Sequence, residues 1–273
     1  MKLSFSTLGC PKWDMNTIIS NAIKYGFDAI DFRLYLGNLN LYELPEFTSN
    51  AKTTAQKITD LGLAVSCFSS SVRLFTAREE FSHILKEISS YAKMCRCFGA
   101  PFIRVFGGAI GRTSREKAVD IVSANLTRLS HVTNDYNIKL LIETHDDWVD
   151  SRNIASVVER VNSAAVGVVW DTHHPYRRAR EAPYETWQVL GKWIYYTHWK
   201  DSYISPDTHY GYQLCLVGDG DIPLKDILFC LKNNGYDGYL TLEWEKMCSP
   251  EIDEPEVAFP GYVSYIRRLM QTT

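Results

Sequence analysis

The sequence contains no run of 18 consecutive apolar residues, whereas a membrane-crossing helix needs about 20. No membrane partner is expected. It also lacks a surplus of basic charge: 29 lysines and arginines face 32 acidic residues, a net charge of -3 at pH 7. The basic residues are scattered, apart from short groups such as Arg177, Arg178 and Arg180. A polyanion would find no continuous cationic face, so nucleic acid is not an expected partner. Ser/Gly linkers and low-complexity tracts are missing too. The first residues, MKLSFSTLGCPKWD, hold too short an apolar run for a secretory signal and meet Pro11 and charge at once, which makes the cytoplasm the expected location. The seven cysteines are an odd number in a chain long enough to fold without staples. Cys95 and Cys97, one residue apart in an expected helix, suit neither a zinc knuckle nor a bridge, and buried free thiols are expected.

What is present is a regular alternation. The 273 residues are 45% hydrophobic and 22% charged, and an α/β barrel of about 250 residues is an ordinary use of such a length. Short apolar strands are expected at Leu3–Ser6, Ala29–Arg33, Ala64–Phe68, Phe102–Phe106, Lys139–Glu143, Val166–Asp171, Ile194–His198 and Tyr239–Glu243. Helices are expected between them, the first from Asn16, a candidate cap, to Tyr25, which Gly26 ends, and the second from about Glu46 to Leu61. The segment with Gly211, Gly218 and Gly220 reads as a polar loop. Strand and helix thus alternate eight times along the chain. The expected fold is α/β, a (β/α)8 TIM barrel with a parallel eight-stranded sheet, formed by one domain over residues 1–273. A doubly wound open sheet is the alternative.

In such a barrel the reactive face lies where the strands end. VGVVWDTHHP, LLIETH, WIYYTHWKD and YLTLEWE each run apolar into carboxylates or imidazoles. Glu143, Asp171, His198 and Glu243 are final or near-final strand residues. Three carboxylates and an imidazole converging on one point repel one another unless a cation offsets the charge, so the set implies a divalent metal. The oxygen-rich donors favour Mn²⁺ or Mg²⁺, and the imidazole admits Co²⁺ or Zn²⁺.

IETH, WDTHH, THWKD, VGDGDIP (Val217 to Pro223) and GYDGYLTLEWE together resemble the xylose-isomerase-like barrels, the sugar phosphate isomerase/epimerase family. The likeness runs through essentially the whole order of elements and is most specific from Lys139 to Glu245. It implies metal ligation by Glu143, Asp171, His198 and Glu243, and a small-molecule sugar or keto-polyol as substrate. It also implies that His174, three residues after Asp171, binds substrate or helps hold the metal. Sugar isomerases and epimerases remove a proton next to a carbonyl, and Glu143 and Glu243 are assigned as the proton-transferring pair.

Other residues have two readings each. Arg104, charged inside FIRVF, either clamps a substrate carboxylate, phosphate or hydroxyl or pairs with Glu143 or Asp171. Lys200 either contacts substrate or pairs with Asp201 or a neighbouring carboxylate. His145 stands to Glu143 as Lys200 stands to His198, and is expected to support the site or act as an acid. His173 alternates away from Asp171 and His174 and is expected to pack or cap. Trp13, Phe68, Trp148, Trp199 and Trp244 stack on sugar or, more often for large aromatics, fill core. Arg177, Arg178 and Arg180 bind an acidic group or form a solvated helix start, and 249–260 is a lid, a subunit contact or an exposed loop. Relatives of this barrel also dehydrate cyclic ketones, so a lyase acting on an inosose, 3-dehydroshikimate or 3-keto-glycoside type of substrate is the first alternative function. An abasic-site endonuclease is a remote one, because strands two and three supply only Asp31 and Cys67 toward a multi-metal cluster. A homodimer or homotetramer is expected.

Overall fold

A computed structural model describes residues 1–272. Eight parallel strands close into a barrel: β1 (Lys2–Ser6), β2 (Ala29–Phe32), β3 (Ala64–Arg73), β4 (Phe102–Phe106), β5 (Lys139–Glu143), β6 (Val166–Asp171), β7 (Ile194–Trp199) and, last in the ring, β10 (Tyr239–Leu242). Closure is made by β1 pairing with β10 on one side and β2 on the other. A helical layer surrounds them: α1 (Met15–Tyr25), α2 (Ala51–Asp60), α3 (Phe81–Phe98), α4 (Arg115–Asn134), α5 (Ser151–Val161), α6 (Pro183–Leu190), α7 (Leu224–Asn233) and α8 (Pro255–Thr272). No helix among the described residues is long and apolar enough to cross a membrane.

Local chemistry explains where these elements start and stop. Asp14, not Asn16, caps α1, its carboxylate accepting from the Thr17 N–H at 2.8 Å. The carboxylate satisfies a free helical N–H, and Asn16 lies one residue inside the helix. Gly26 ends it in the left-handed region at φ 83°, which only glycine adopts without strain. The second helix does not begin at Glu46. Two short 3-10 turns, Leu41–Glu43 and Pro45–Phe47, come first, and the α-helix starts at Ala51. β3 runs to Arg73, five residues beyond the expected end, with a register shift between Ser69 and Arg73.

The segment after β7 is not merely a loop. Asp201–Ile204 (β8) and Tyr212–Cys215 (β9) form an antiparallel hairpin. Its base is fixed by the Asp201 carboxylate, which accepts from the N–H groups of Ser202 (2.8 Å), Gly218 (2.9 Å), Gly220 (3.1 Å) and Ile222 (3.3 Å). This one carboxylate accounts for the local form of VGDGDIP.

Side chains two apart on a strand share a face, and this periodicity divides the barrel interior into levels. Cys67, Leu141, Val169 and Tyr196 form one fully buried apolar cluster. Each lies two residues before Ser69, Glu143, Asp171 and His198 respectively. The apolar level thus floors the polar level above it. Gly167 belongs to the same parity one step lower, where any Cβ would collide with the Tyr195 ring. Between strands and helices, Phe32 of β2, Phe68 of β3, Phe47, and Phe98 of α3 pack mutually. Phe5, Phe27 and Trp13 each pack against Phe259 of α8.

Candidate metal centre

The polar level brings Glu143, Asp171, His198 and Glu243 together, each contributing a ligand-type atom within 4.8 Å of the others. Glu143 and Asp171 end β5 and β6, His198 is the penultimate residue of β7, and Glu243 follows β10 directly. All four are buried. His198 Nδ1 faces two carboxylates at once, Glu143 Oε1 at 2.8 Å and Glu243 Oε1 at 3.3 Å. Its Nε2 lies 3.1 Å from Asp31 Oδ2 on β2. Asp31 is held in turn by the Ser69 hydroxyl at 2.9 Å. An outer carboxylate on one ring nitrogen fixes the orientation of the other, the usual support of a metal-binding histidine.

The sequence D-T-H-H performs two tasks. Asp171 Oδ1 accepts from the backbone N–H groups of His173 (2.9 Å) and His174 (3.0 Å), which turns the chain away from the strand. Oδ2 is left toward the centre, 2.8 Å from Lys200 Nζ and 3.3 Å from His174 Nδ1. His174 Nδ1 also meets the Thr144 carbonyl at 3.1 Å, so that nitrogen carries the proton and Nε2 is free. His173 does pack: it is buried, with Nε2 2.8 Å from Ser202 Oγ and its ring 4.8 Å from that of Tyr212.

Lys200 takes the ion-paired arrangement, with neighbouring carboxylates and not with Asp201. Its ammonium lies 2.7 Å from Glu243 Oε2, 2.6 Å from Glu245 Oε1 and 2.8 Å from Asp171 Oδ2, while Asp201 serves the hairpin. Arg104 likewise pairs, Nε lying 3.3 Å from Glu143 Oε2, and its guanidinium covers the Phe106 ring at 3.9 Å. His145 binds Asp146 through Nδ1 at 2.9 Å and stands edge-on to His174, ring centres 4.8 Å apart.

Burial opposes every charge here, so the neighbours decide the protonation. Glu143 is held below the ordinary carboxylate range because Arg104 and His198 outweigh burial. Glu243 falls well below it, burial being overcome by Lys200, His198 and Arg104. Asp171 goes the other way, to about 6, because burial together with Glu243 and Glu143 outweighs Lys200. Burial disfavours the His198 imidazolium, yet Glu243, Glu143 and Asp31 raise its pKa well above the normal value. The carboxylates of the cluster therefore favour positive charge on His198. Glu143 Oε2 and Asp171 Oδ2 are buried without an aligned hydrogen bond. Three carboxylates, one imidazole and two such oxygens fit a divalent cation.

Three further residues contribute here that the strand-end pattern did not assign to this centre. Asp31 has the strand-end parity of the others, a usable signal, but its contact with His198 spans 167 positions. Glu245 shares parity with Glu243. Arg33, just past β2, donates to Ser71 Oγ at 3.0 Å. Conversely, Trp13, Phe68, Trp148, Trp199 and Trp244 are all buried in the core. Arg177 is tied to the hairpin, donating to Ser202 Oγ (3.1 Å) and Ser202 O (2.9 Å) and pairing with Asp221. Arg178 and Arg180 border an open cavity of about 740 Å³ with Tyr176, Tyr210 and Tyr212.

These features coincide with a known family. The model of the xylose isomerase-like TIM barrel matches residues 19–262, and the chain belongs to that family. Among solved structures of this fold, the IOLI protein with a bound zinc atom superposes with a TM-score of 0.80 at 19% identity, covering 99% of this chain and 96% of that one. The 3-keto-D-glucoside 4-epimerase of E. coli gives 0.78 at 14% identity, over 98% and 99%. The "probable 3-DHS dehydratase" of Bacillus anthracis gives 0.78 at 16%, also over 98% and 99%. At these identities the likeness establishes the fold. In sequence, an uncharacterised protein of Methanocaldococcus jannaschii is 25% identical over 126 residues, 44% of this chain and 41% of the relative's length.

Proposed function

We propose that the protein is a divalent-metal-dependent sugar isomerase or epimerase that moves a proton on carbon next to a carbonyl. The observation that carries this reading is the placement of Glu143 and Glu243, which reach the same His198 nitrogen from β5 and from the end of β10. Glu143, Asp171, His198 and Glu243 would hold the cation, with Mn²⁺ first among Mn²⁺, Mg²⁺, Co²⁺ and Zn²⁺ for so oxygen-rich a set. When bound, a divalent cation stabilises the enediolate charge that develops on the substrate.

The remaining work belongs to side chains. Both glutamates are held in the ionised form, so either can accept the substrate proton and return that same proton to the adjacent carbon; return to the opposite face uses the other glutamate after it has taken up a proton from solvent, and the first then releases its own to solvent. Arg104 steadies Glu143, and Lys200 does the same for Glu243. His174, neutral because burial and the nearby Lys200 disfavour its charge, can donate to or accept from a substrate hydroxyl. The apolar floor of Cys67, Leu141, Val169 and Tyr196 closes the barrel below the site, limiting protonation by solvent.

His145 supports a second reading. Burial acts against its proton, but Asp146 and Glu143 raise its pKa, leaving an acid beside His174 that can protonate a departing β-hydroxyl. That would make the chain a dehydratase on a cyclic keto substrate. Metal-loaded protein incubated with ketoses, keto-inositols and 3-keto-glycosides separates the two: an epimer or isomer supports the first reading, and a conjugated enone seen by absorbance supports the second. In either case Glu143→Gln and Glu243→Gln are expected to lower turnover by about 100- to 10,000-fold. Near-normal rates in both variants would overturn the assignment.

A further inference from the structure

Arg33 is the unexplained charge of the barrel mouth. It follows β2 and lies partly buried; its Nη1 donates to Ser71 Oγ at 3.0 Å. No carboxylate among the described residues forms an ion pair with it. The next strand edge brings a second guanidinium. Ser71 belongs to β3, whose Ser69 is in register with Arg104 of β4, and the Ser70 hydroxyl donates to the Arg104 carbonyl at 2.7 Å. Arg104 is 1% exposed, its Nε is turned to Glu143, and its Nη1 is buried with no hydrogen-bond partner. Burial, and then repulsion from Arg104, push the Arg33 guanidinium down to about 10.

Two neighbouring guanidiniums, one bound only to a hydroxyl and the other with an orphaned nitrogen, make an unfavourable arrangement for a protein left to itself. The opposite side of the site differs: there the Lys200 ammonium is surrounded by Asp171, Glu243 and Glu245. On the β2–β4 side, Glu143, Glu243 and Glu87 act on Arg33 without forming an ion pair with it, so positive charge there is less closely compensated. Arg104 keeps Nη1 without a partner and Arg33 binds a single hydroxyl, and a planar anion with two oxygens suits two neighbouring guanidiniums better than a single hydroxyl does.

We propose that Arg33 and Arg104 form a carboxylate-binding subsite, so that the substrate is a hydroxylated keto acid whose carboxylate lies against β2–β4 while its reacting carbons lie at Glu143 and Glu243. This rests on the proton-transfer reading above and narrows it from neutral sugars to acidic ones. Ser71 is then a positioning residue, orienting Arg33 through its hydroxyl.

The test compares binding of quinate, a carboxylated cyclic polyol, with myo-inositol, its neutral counterpart, and with myo-inositol 1-phosphate, by titration calorimetry on the metal-loaded protein. Wild type is expected to bind quinate at least 10-fold more tightly than myo-inositol. Arg33→Gln is expected to weaken quinate by about 10- to 100-fold, the range of lost charge-assisted hydrogen bonds, and to leave myo-inositol unchanged. Ser71→Ala, a smaller perturbation that serves if Arg33→Gln folds poorly, should weaken quinate alone and by less. Equal effects on quinate and myo-inositol, or an unchanged quinate affinity in both variants, would overturn the proposal. So would myo-inositol 1-phosphate binding more tightly than quinate through Arg33, which would make the subsite one for phosphate. If quinate depends on Arg33 but no keto compound is turned over, the proton-transfer reading fails and the subsite stands. If neutral ketoses turn over and quinate ignores Arg33, the reverse holds.

Discussion

Asp31 offers the sharpest perturbation of the centre because it is not itself an expected ligand and touches one, His198, on its far side. Its Oδ2 lies 3.1 Å from Nε2, both residues are fully buried, and Ser69 holds the same oxygen at 2.9 Å. Removing such a partner frees the imidazole to rotate and lowers its basicity, effects that together typically reduce metal affinity by about 10- to 100-fold, or about 1.4 to 2.7 kcal/mol. The two available substitutions bracket that range. Asp31→Asn keeps an oxygen that can accept from Nε2 and should sit near 10-fold, whereas Asp31→Ala leaves Nε2–H buried and unpaired and should sit near 100-fold. The assay is calorimetric titration of chelator-treated protein with Mn²⁺ and with Zn²⁺ at fixed pH, with circular dichroism to verify the barrel. Unchanged affinity in both variants, with the fold intact, would refute the role given to Asp31 and weaken the placement of His198 in the centre.

The barrel floor and the neighbouring histidine give further expectations. Leu141→Ala removes a fully buried side chain from the apolar level, and calorimetric unfolding should show a loss of about 2 to 5 kcal/mol; a loss below 1 kcal/mol would mean that the floor is not tightly packed. His173 is held well below the ordinary imidazole pKa by burial, then by Lys200 and Arg177. Its folded form therefore resists protonation while the unfolded chain takes up a proton as pH falls below about 6.5. The stability it supports is present above that pH and lost beneath it, by up to about 1.4 kcal/mol per pH unit. His173→Gln should flatten the fall in stability between about pH 6.5 and 5, read by denaturant titration; an unaltered slope would show that His173 is not the group responsible.

Much of the barrel was legible because strand ends and helix ends are written in local residue types. Apolar runs broken by Glu143, Asp171, His198 and Glu243 gave both the strands and the residues that the barrel brings together. What stayed hidden depends on closure. Asp31 is one acidic residue in AIDF until β2 curves round to face β7. Lys200 had two readings because its acidic neighbours, Asp171, Glu243 and Glu245, come from different strands and meet only in the barrel. The β8–β9 hairpin was hidden for a different reason. Its strands are four residues each and half exposed, so they lack the apolar run that marks a buried strand. Arg33 was invisible as an unpaired charge, since pairing is a property of space and not of sequence.

Proton transfer next to a carbonyl is tested most directly by hydrogen exchange. Metal-loaded protein would be incubated in D₂O with a panel of neutral and acidic keto-polyols, and deuterium at the carbon beside the carbonyl followed by NMR. Exchange is expected with at least one compound, abolished by chelation and by Glu143→Gln or Glu243→Gln. Metal bound at full occupancy with no exchange into any of them, or exchange that persists unchanged in both glutamine variants, would contradict the assignment of these two glutamates to proton transfer.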